Sequence, residues 1–255
     1  MTPRRPPRPW VGPAKPVDPA ELAGPRGLTE EVLRADEAAE APEGDASFYW
    51  SLLTEERKAR IASVVDARLC SVTVILDRLL DPHNTAAILR TAEGLGLCAA
   101  HVVPHDSADG IAHRRVTQDA HKWLEIRAHA SGAAAVRALR SEGYEVWAGH
   151  LDAGARLYTD LPAGGPVALL FGNEHEGPSA DTLAACTGTF RIPMAGFTQS
   201  FNVSVAAGIA LAHLASARRR HLGRAGDLPE AARVALRDRF TLLAARLARR
   251  MKQTP

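Results

Sequence analysis

Residues 192–215, IPMAGFTQSFNVSVAAGIALAHLA, join a turn of small and polar residues to a smooth apolar run of helical type. Ile192, Pro193 and Met194 read as a strand end and Gly196 lets the backbone turn. Ser200 and Asn202 are residue types that cap helices, and a helix body follows from about Val203. Two polar side chains are thus expected at the mouth of a helix, where a strand has just ended.

Working outward, the same alternation repeats. VTVILD (72–77), AAHVVP (99–104), YEVWAGHL (144–151), PVALLFG (166–172) and GTFRIPM (188–194) are short apolar runs of buried-strand type, and WLEIRAHA (123–130) is a further extended segment. Between them lie helical patterns. Residues 54–69 carry Ile61, Val64, Val65 and Leu69 at helical spacing behind a Thr54 cap, and 81–97, 131–143 and 178–186 follow, the last opened by Pro178 and Ser179. Short strands alternating with helices predict a parallel α/β sheet with helices on both faces.

Composition bounds the rest. At 255 residues, 46% apolar and 24% charged, the chain can bury one main core. Its apolar runs are too short to span a bilayer and MTPRRPPRPW lacks the apolar centre of a secretory signal, so a cytoplasmic protein without membrane contact is expected. Cys70, Cys98 and Cys186 are odd in number and far apart, outside any CxxC or zinc spacing. Neither a disulfide framework nor a metal site is expected, and all three read as small buried residues. Eight of the seventeen prolines fall in residues 1–25 beside Arg4, Arg5, Arg8 and Lys15, and an acidic Ala-rich segment follows. Residues 1–46 therefore read as a basic arm and linker, 47–215 as the folded domain, and 216–255 as a basic helical extension. That extension holds eleven basic residues against three acidic ones, a surplus suited to a polyanion or to a solvated helix face.

Three stretches carry candidate chemistry. In DPHNTAAILRTAE (81–93), Asn84 stands at the expected helix start and could simply cap it. Ile88, Ala92 and Leu95 form an inward stripe, and Arg90, about 200° round from Ile88, faces away from it. His83 lies about two turns before Arg90, a pairing suited to a phosphate or ribose, or to mere surface decoration. In LLFGNEHEGPS (169–179) a buried strand empties into a loop with Gly172, Gly177, Glu174 and Glu176. Gly172 would allow a ligand close to the backbone, and Glu174 could accept from a base or sugar or orient a cation. The third stretch is the opening one. No GxGxxG follows a strand, which disfavours a dinucleotide-binding oxidoreductase.

Together DPHNTAAILRTAEGLGL, LLFGNEHEGPS and IPMAGFTQSFNVSVAAGIAL resemble the three motifs of the SPOUT superfamily of methyltransferases, and in detail the tRNA ribose 2′-O-methyltransferases that act on a D-loop guanosine. The likeness covers about residues 54–240. It implies an α/β domain with a C-terminal deep trefoil knot, a homodimer, S-adenosyl-L-methionine as cofactor, tRNA as partner and no metal. By the same resemblance Asn84, Arg90, Glu174, Ser200 and Asn202 are the functional polar set. His150, Gly172, Ile192, Met194 and Phe201 surround the cofactor. Arg60, Arg68, His83, Arg218, Arg219 and Arg220 contact RNA. Asp81 departs from the pattern, which has a basic residue there. An rRNA ribose methyltransferase of the same superfamily and a catalytically silent RNA-binding knot protein are the alternative expectations.

Overall fold

A computed structural model of the chain describes residues 46–105 and 123–253, with side chains as far as residue 245. The expected arm and the helical piece before Trp123 lie outside the described residues. In chain order the elements are α1 (Ala46–Ser51), α2 (Glu55–Asp66), β1 (Val72–Asp77), α3 (Pro82–Gly94), β2 (Ala99–Val103), β3 (Glu125–Ala128), α4 (Gly132–Ser141), β4 (Glu145–Gly149), β5 (Arg156–Leu157), β6 (Val167–Gly172), α5 (Ala180–Ala185), β7 (Gly188–Arg191), α6 (Val203–Leu222) and α7 (Glu230–Gln253). The expected helices and strands recur within a few residues. The two-residue strand β5 and the short α1 have no periodicity long enough to see in the sequence.

The strands form one seven-stranded sheet in the order β3-β2-β1-β6-β4-β7-β5, and every pairing is parallel. β1 and β6 lie side by side at its centre, Val72 opposite Val167 through Asp77 opposite Gly172. All six residues of each are buried, because helices cover both faces; this is why both read as unbroken apolar runs. Val72, Val74 and Leu76 face one core with Ile88, Leu89 and Ala92 of α3 and Ala207, Leu211 and Leu214 of α6. Ile75 faces the other core with Val136 and Leu139 of α4. A third cluster joins Ile61 and Val65 of α2 to Phe240 and Ala244 of α7. α6 runs unbroken across residues 215 and 216, where domain and extension were expected to meet, and ends at Gly223 with a left-handed φ of 63°.

One expectation is overturned. Cys70 and Cys98, 28 residues apart, form a disulfide with a Cα–Cα distance of 5.0 Å. The parallel bridge between Leu69 and Leu97 sets the two cysteines side by side at the entrance to β1 and β2. Sequence spacing holds no information about that register. Cys186 is buried and free, as expected, and burial pushes its thiol up to about 11.

Candidate functional site

Because all strands run one way, the loops after β1, β4, β6 and β7 gather at one edge of the sheet, the place where ligands of open α/β sheets collect. There the loops after β4, β6 and β7, with the start of α6, line a cavity of about 560 Å³, a size suited to a small-molecule ligand. His150, Gly172, Ile192, Met194 and Phe201 all line it, together with Glu174, Ser200 and Asn202. Its apolar wall comes from Phe171, Phe190, Val203 and Ala206.

The polar mouth is built around Asn84. Helix α3 is capped not by Asn84 but by Asp81, whose carboxylate accepts from the His83 N–H, with Pro82 in the first turn. The helix therefore begins two residues before Asn84. Freed from capping, Asn84 turns inward and is only 7% exposed. Its Nδ2 donates to Glu174 Oε1 at 2.9 Å, and its Oδ1 accepts from Asn202 Nδ2 at 3.0 Å. Asn202 does cap α6: its Oδ1 accepts from the Ser204 N–H at 2.9 Å and from Ser204 Oγ at 2.6 Å. Ser200 does not cap; it is exposed and lines the cavity.

Glu174 closes the same network from the other side. Its carboxylate accepts from the Leu80 N–H at 2.9 Å and the Asp81 N–H at 3.3 Å as well as from Asn84. Burial raises its carboxyl, but the donors from Leu80, Asn84 and Asp81 outweigh this and hold it below the ordinary carboxylate range. Both of its oxygens thus accept from the chain itself, while the side chain stays exposed at the cavity with acceptor capacity to spare. Asn173 went unnoticed in the sequence: its Oδ1 accepts from the His175 and Glu176 N–H groups, and its Nδ2 donates to the Arg78 carbonyl at 3.3 Å. Asn followed by a run ending in glycine was the available signal for this turn, which Gly177 completes at φ 69°.

Gly172 lines the cavity and is also crowded by its own chain. A Cβ there would lie 2.4 Å from the Pro178 nitrogen and 2.6 Å from the Gly177 carbonyl carbon, so the close approach is between two parts of the chain. Arg90 is exposed on α3, away from the buried Ile88 and Ala92, and it is not among the cavity-lining residues.

The expected RNA contacts divide in two. Arg60, His83 and Arg220 are exposed. Arg68 is 1% exposed, donates to the Leu97 carbonyl and to Glu93, and stacks on Phe240 at 5.2 Å. Arg218 donates to Ser71 Oγ and the Ala163 carbonyl, and Arg219 to the carbonyls of Ala67, Leu95 and Ala225. These three act as pins within the protein, because uncapped carbonyls at the ends of α2 and α3 and in nearby loops need donors. Among the described residues no cluster of three His, Cys, Asp or Glu side chains is placed to hold a metal, and no helix is long and apolar enough to cross a membrane.

An open parallel α/β sheet with a ligand-sized cavity at its carboxyl edge, lined by two polar motifs and hydrogen-bonded through them to a third, defines a cofactor- or small-molecule-binding class of site. The SpoU rRNA methylase family model matches residues 71–212, more than half of the chain, and the chain belongs to that family. It is 38% identical over 159 residues to the tRNA (guanosine(18)-2′-O)-methyltransferase of Thermus thermophilus, covering 62% of this chain and 81% of that protein. The structure is similar to that of the A. aeolicus TrmH/SpoU tRNA modifying enzyme, with a TM-score of 0.66 and 26% identity over 73% of this chain and 95% of that one. It is also similar to the AdoMet-bound rRNA methyltransferase of Sinorhizobium meliloti, with a TM-score of 0.51 and 31% identity over 62% and 60% of the two chains.

Proposed function

We propose that this protein methylates the ribose 2′-hydroxyl of a D-loop guanosine of tRNA, the nucleoside numbered 18 in the name of its Thermus relative, with S-adenosyl-L-methionine as donor. The observation that carries this is the hydrogen-bonded chain from Glu174 through Asn84 and Asn202 to Ser204, which joins all three motifs at the mouth of the cavity. The cavity fits the donor. An apolar slot from Phe171, Phe190, Val203 and Ala206 suits an adenine ring, and the backbone of 149–151, 172–178 and 191–194 offers edges for its polar atoms.

The bound donor supplies an electrophilic methyl group. In the transfer the ribose O2′–methyl bond forms, the sulfur–methyl bond breaks, and the hydroxyl proton leaves toward the RNA phosphate or water. The protein's part is positioning and charge. Glu174, Asn84, Ser200 and Asn202 shape the cofactor loop and hold it against α3. Arg90 keeps its guanidinium exposed and without a side-chain hydrogen bond among the described residues; a guanidinium holds its proton and charge too firmly to serve as a base, but it is a good stabiliser of a phosphate or developing alkoxide. Arg60, His83 and Arg220, the exposed members of the expected set, are the RNA contacts.

The homodimer, the trefoil knot, the cytoplasmic location and the division at residues 46 and 215 belong to the same proposal. Arg90 faces solvent outside the cavity, so a second copy is a natural source of a cation at its mouth. The insertion of β6 between β1 and β4, after both are laid down, is the kind of crossing a knot requires. Purified protein incubated with labelled donor and separate tRNA and rRNA pools, followed by mapping of the product, tests the activity. The expected label is a 2′-O-methylguanosine in the tRNA D loop. Label in rRNA alone would overturn the substrate, and donor binding without transfer to either pool would favour a silent RNA-binding protein.

A further inference from the structure

Among the described residues Arg78 is the only one other than glycine with a positive φ, 56°. It stands directly after β1, where the chain turns toward the amides that Glu174 holds. Left-handed backbone is unfavourable for a residue with a side chain and persists only where its surroundings enforce it. Here they do. The Arg78 N–H donates to the Val103 carbonyl at 3.0 Å, and its own carbonyl accepts from Asn173 Nδ2 at 3.3 Å. A glycine would take this conformation without strain, so what arginine adds is its side chain.

That side chain is anchored from beneath. Arg78 Nε lies 3.5 Å from Oδ1 of Asp77, which is 1% exposed, while the arginine side chain is 36% exposed. Asp77 is itself sealed in place. Thr182 Oγ1 donates to its Oδ2 at 3.4 Å, and a Cβ on Gly132 would lie 2.3 Å from that oxygen. The guanidinium thus has its Nε edge drawn toward a buried carboxylate oxygen by charge, without a hydrogen bond, and its two terminal amino groups have no hydrogen-bond partner among the described residues. A planar fork drawn in at one edge and open at the other matches the two oxygens of a phosphodiester. It sits on the loop that leads into α3, six residues before Asn84, and its carbonyl is bonded by the neighbour of Glu174.

We propose that Arg78 grips a phosphodiester of the RNA substrate beside the target nucleoside, with Asp77 as the positioning residue that holds its guanidinium. This rests on the methyl-transfer function proposed above. The test uses the full chain, an in vitro transcribed tRNA read by fluorescence anisotropy at several salt concentrations, and methyl transfer at saturating donor. Arg78→Gln should weaken tRNA binding and raise KM about tenfold with kcat within about twofold. The slope of log Kd against log salt should become shallower by about 0.7–0.9, the loss of one phosphate contact. Arg78→Lys should keep the slope and lose about threefold in affinity, since a point charge remains without the fork. Asp77→Asn should weaken binding in the wild-type background and add nothing to Arg78→Gln. Donor affinity should be unchanged throughout. Wild-type tRNA affinity and salt slope in Arg78→Gln would overturn the proposal, as would a loss matched by an equal loss of donor affinity, which would mark a purely structural role. A wild-type protein that binds tRNA but transfers no methyl to it would count against the proposed activity, and the anisotropy series would still decide Arg78.

Discussion

Asn84 uses both ends of its amide, giving one hydrogen to Glu174 and taking one from Asn202, so the polarity of the whole chain of contacts is determined at that one side chain. Truncation leaves the Asn202 amide without this partner and removes a donor from the Glu174 carboxylate. Asn84→Ala should therefore cost about 1–3 kcal/mol, measured by chemical denaturation, and should lower donor affinity by loosening the cofactor loop. Asn84→Asp, nearly the same shape, should be worse at neutral pH, because it sets a second carboxylate against Glu174. Recovery of that variant toward acid pH, as one of the two carboxyls takes up a proton, is the signature to look for. Arg90→Ala should lower methyl transfer by at least about a hundredfold while changing donor affinity little, as loss of an electrostatic group acting in the transition state does. Normal turnover in that variant would remove Arg90 from the mechanism. Arg68 belongs to a different class. Its guanidinium lies between the Leu97 carbonyl, Glu93 and Phe240, so Arg68→Ala should destabilise by about 3–5 kcal/mol and leave the salt dependence of RNA binding in the surviving folded protein unchanged.

At the scale of elements, the site depends on how closely β6 and the loop after it double back. Gly172 opposes the backbone of Gly177 and Pro178, atoms that cannot swing aside as a side chain can. Gly172→Ala should push the 173–178 loop outward, breaking the Asn173 turn and the hold of Glu174 on the start of α3. Donor affinity should fall at least about tenfold, read by calorimetric titration, with most of the fold's stability retained because the strand itself is unaltered. Asn202 shows the same economy of parts in α6, since its oxygen caps the helix while its amide hydrogen reaches Asn84. The orientation of α6 and the geometry of the mouth are thus set by one residue. α3 and α6 pack against the same face of the sheet through Ala92, Ala207 and Ala210, all fully buried, and these small side chains let the two motif-bearing helices lie close.

For the molecule as a whole, the segment between α6 and α7 is stitched back onto the beginning of the sheet. The Asp227 carboxylate accepts from the Cys70 and Ser71 N–H groups and from Ser71 Oγ, while Arg218 reaches the same serine. Far from the cavity, His101 of β2 is 2% exposed and its Nδ1 lies 2.8 Å from His129 Nε2. Burial, with the charges of His129 and Arg127, pushes His101 down to about 3, and His129 is also lowered, by burial and Arg127 against the opposing pull of Glu142. Because the folded pKa of His101 lies below the unfolded value of about 6.5, the unfolded chain binds the extra proton between those limits. Stability should be level above pH 6.5 and fall by up to about 1.4 kcal/mol per pH unit below it, from this residue alone. Denaturant midpoints measured from pH 7 to pH 4.5 should show that slope, and His101→Gln should flatten it. An unchanged slope would place the acid sensitivity elsewhere.

The sequence by itself determined the alternation of strands and helices, the parallel sheet covered on both faces, and the three polar stretches at strand ends. These are local properties, carried by the period of apolar residues and by turn chemistry within a dozen positions. It even placed Arg90 on the outer side of α3, since that follows from helical geometry alone. Only the tertiary structure decided which distant groups meet. Cys70 faces Cys98 through strand register, and Asn84 leaves the cap to Asp81 and joins Glu174 to Asn202 across two loops. Arg68, Arg218 and Arg219, basic residues that resemblance assigned to RNA, satisfy carbonyls, a hydroxyl and one acid of the chain itself. The physical reason is the same in each case. A charge or an amide in a sequence shows what it can bond, whereas the partner it takes depends on segments brought together by packing, which no local period encodes.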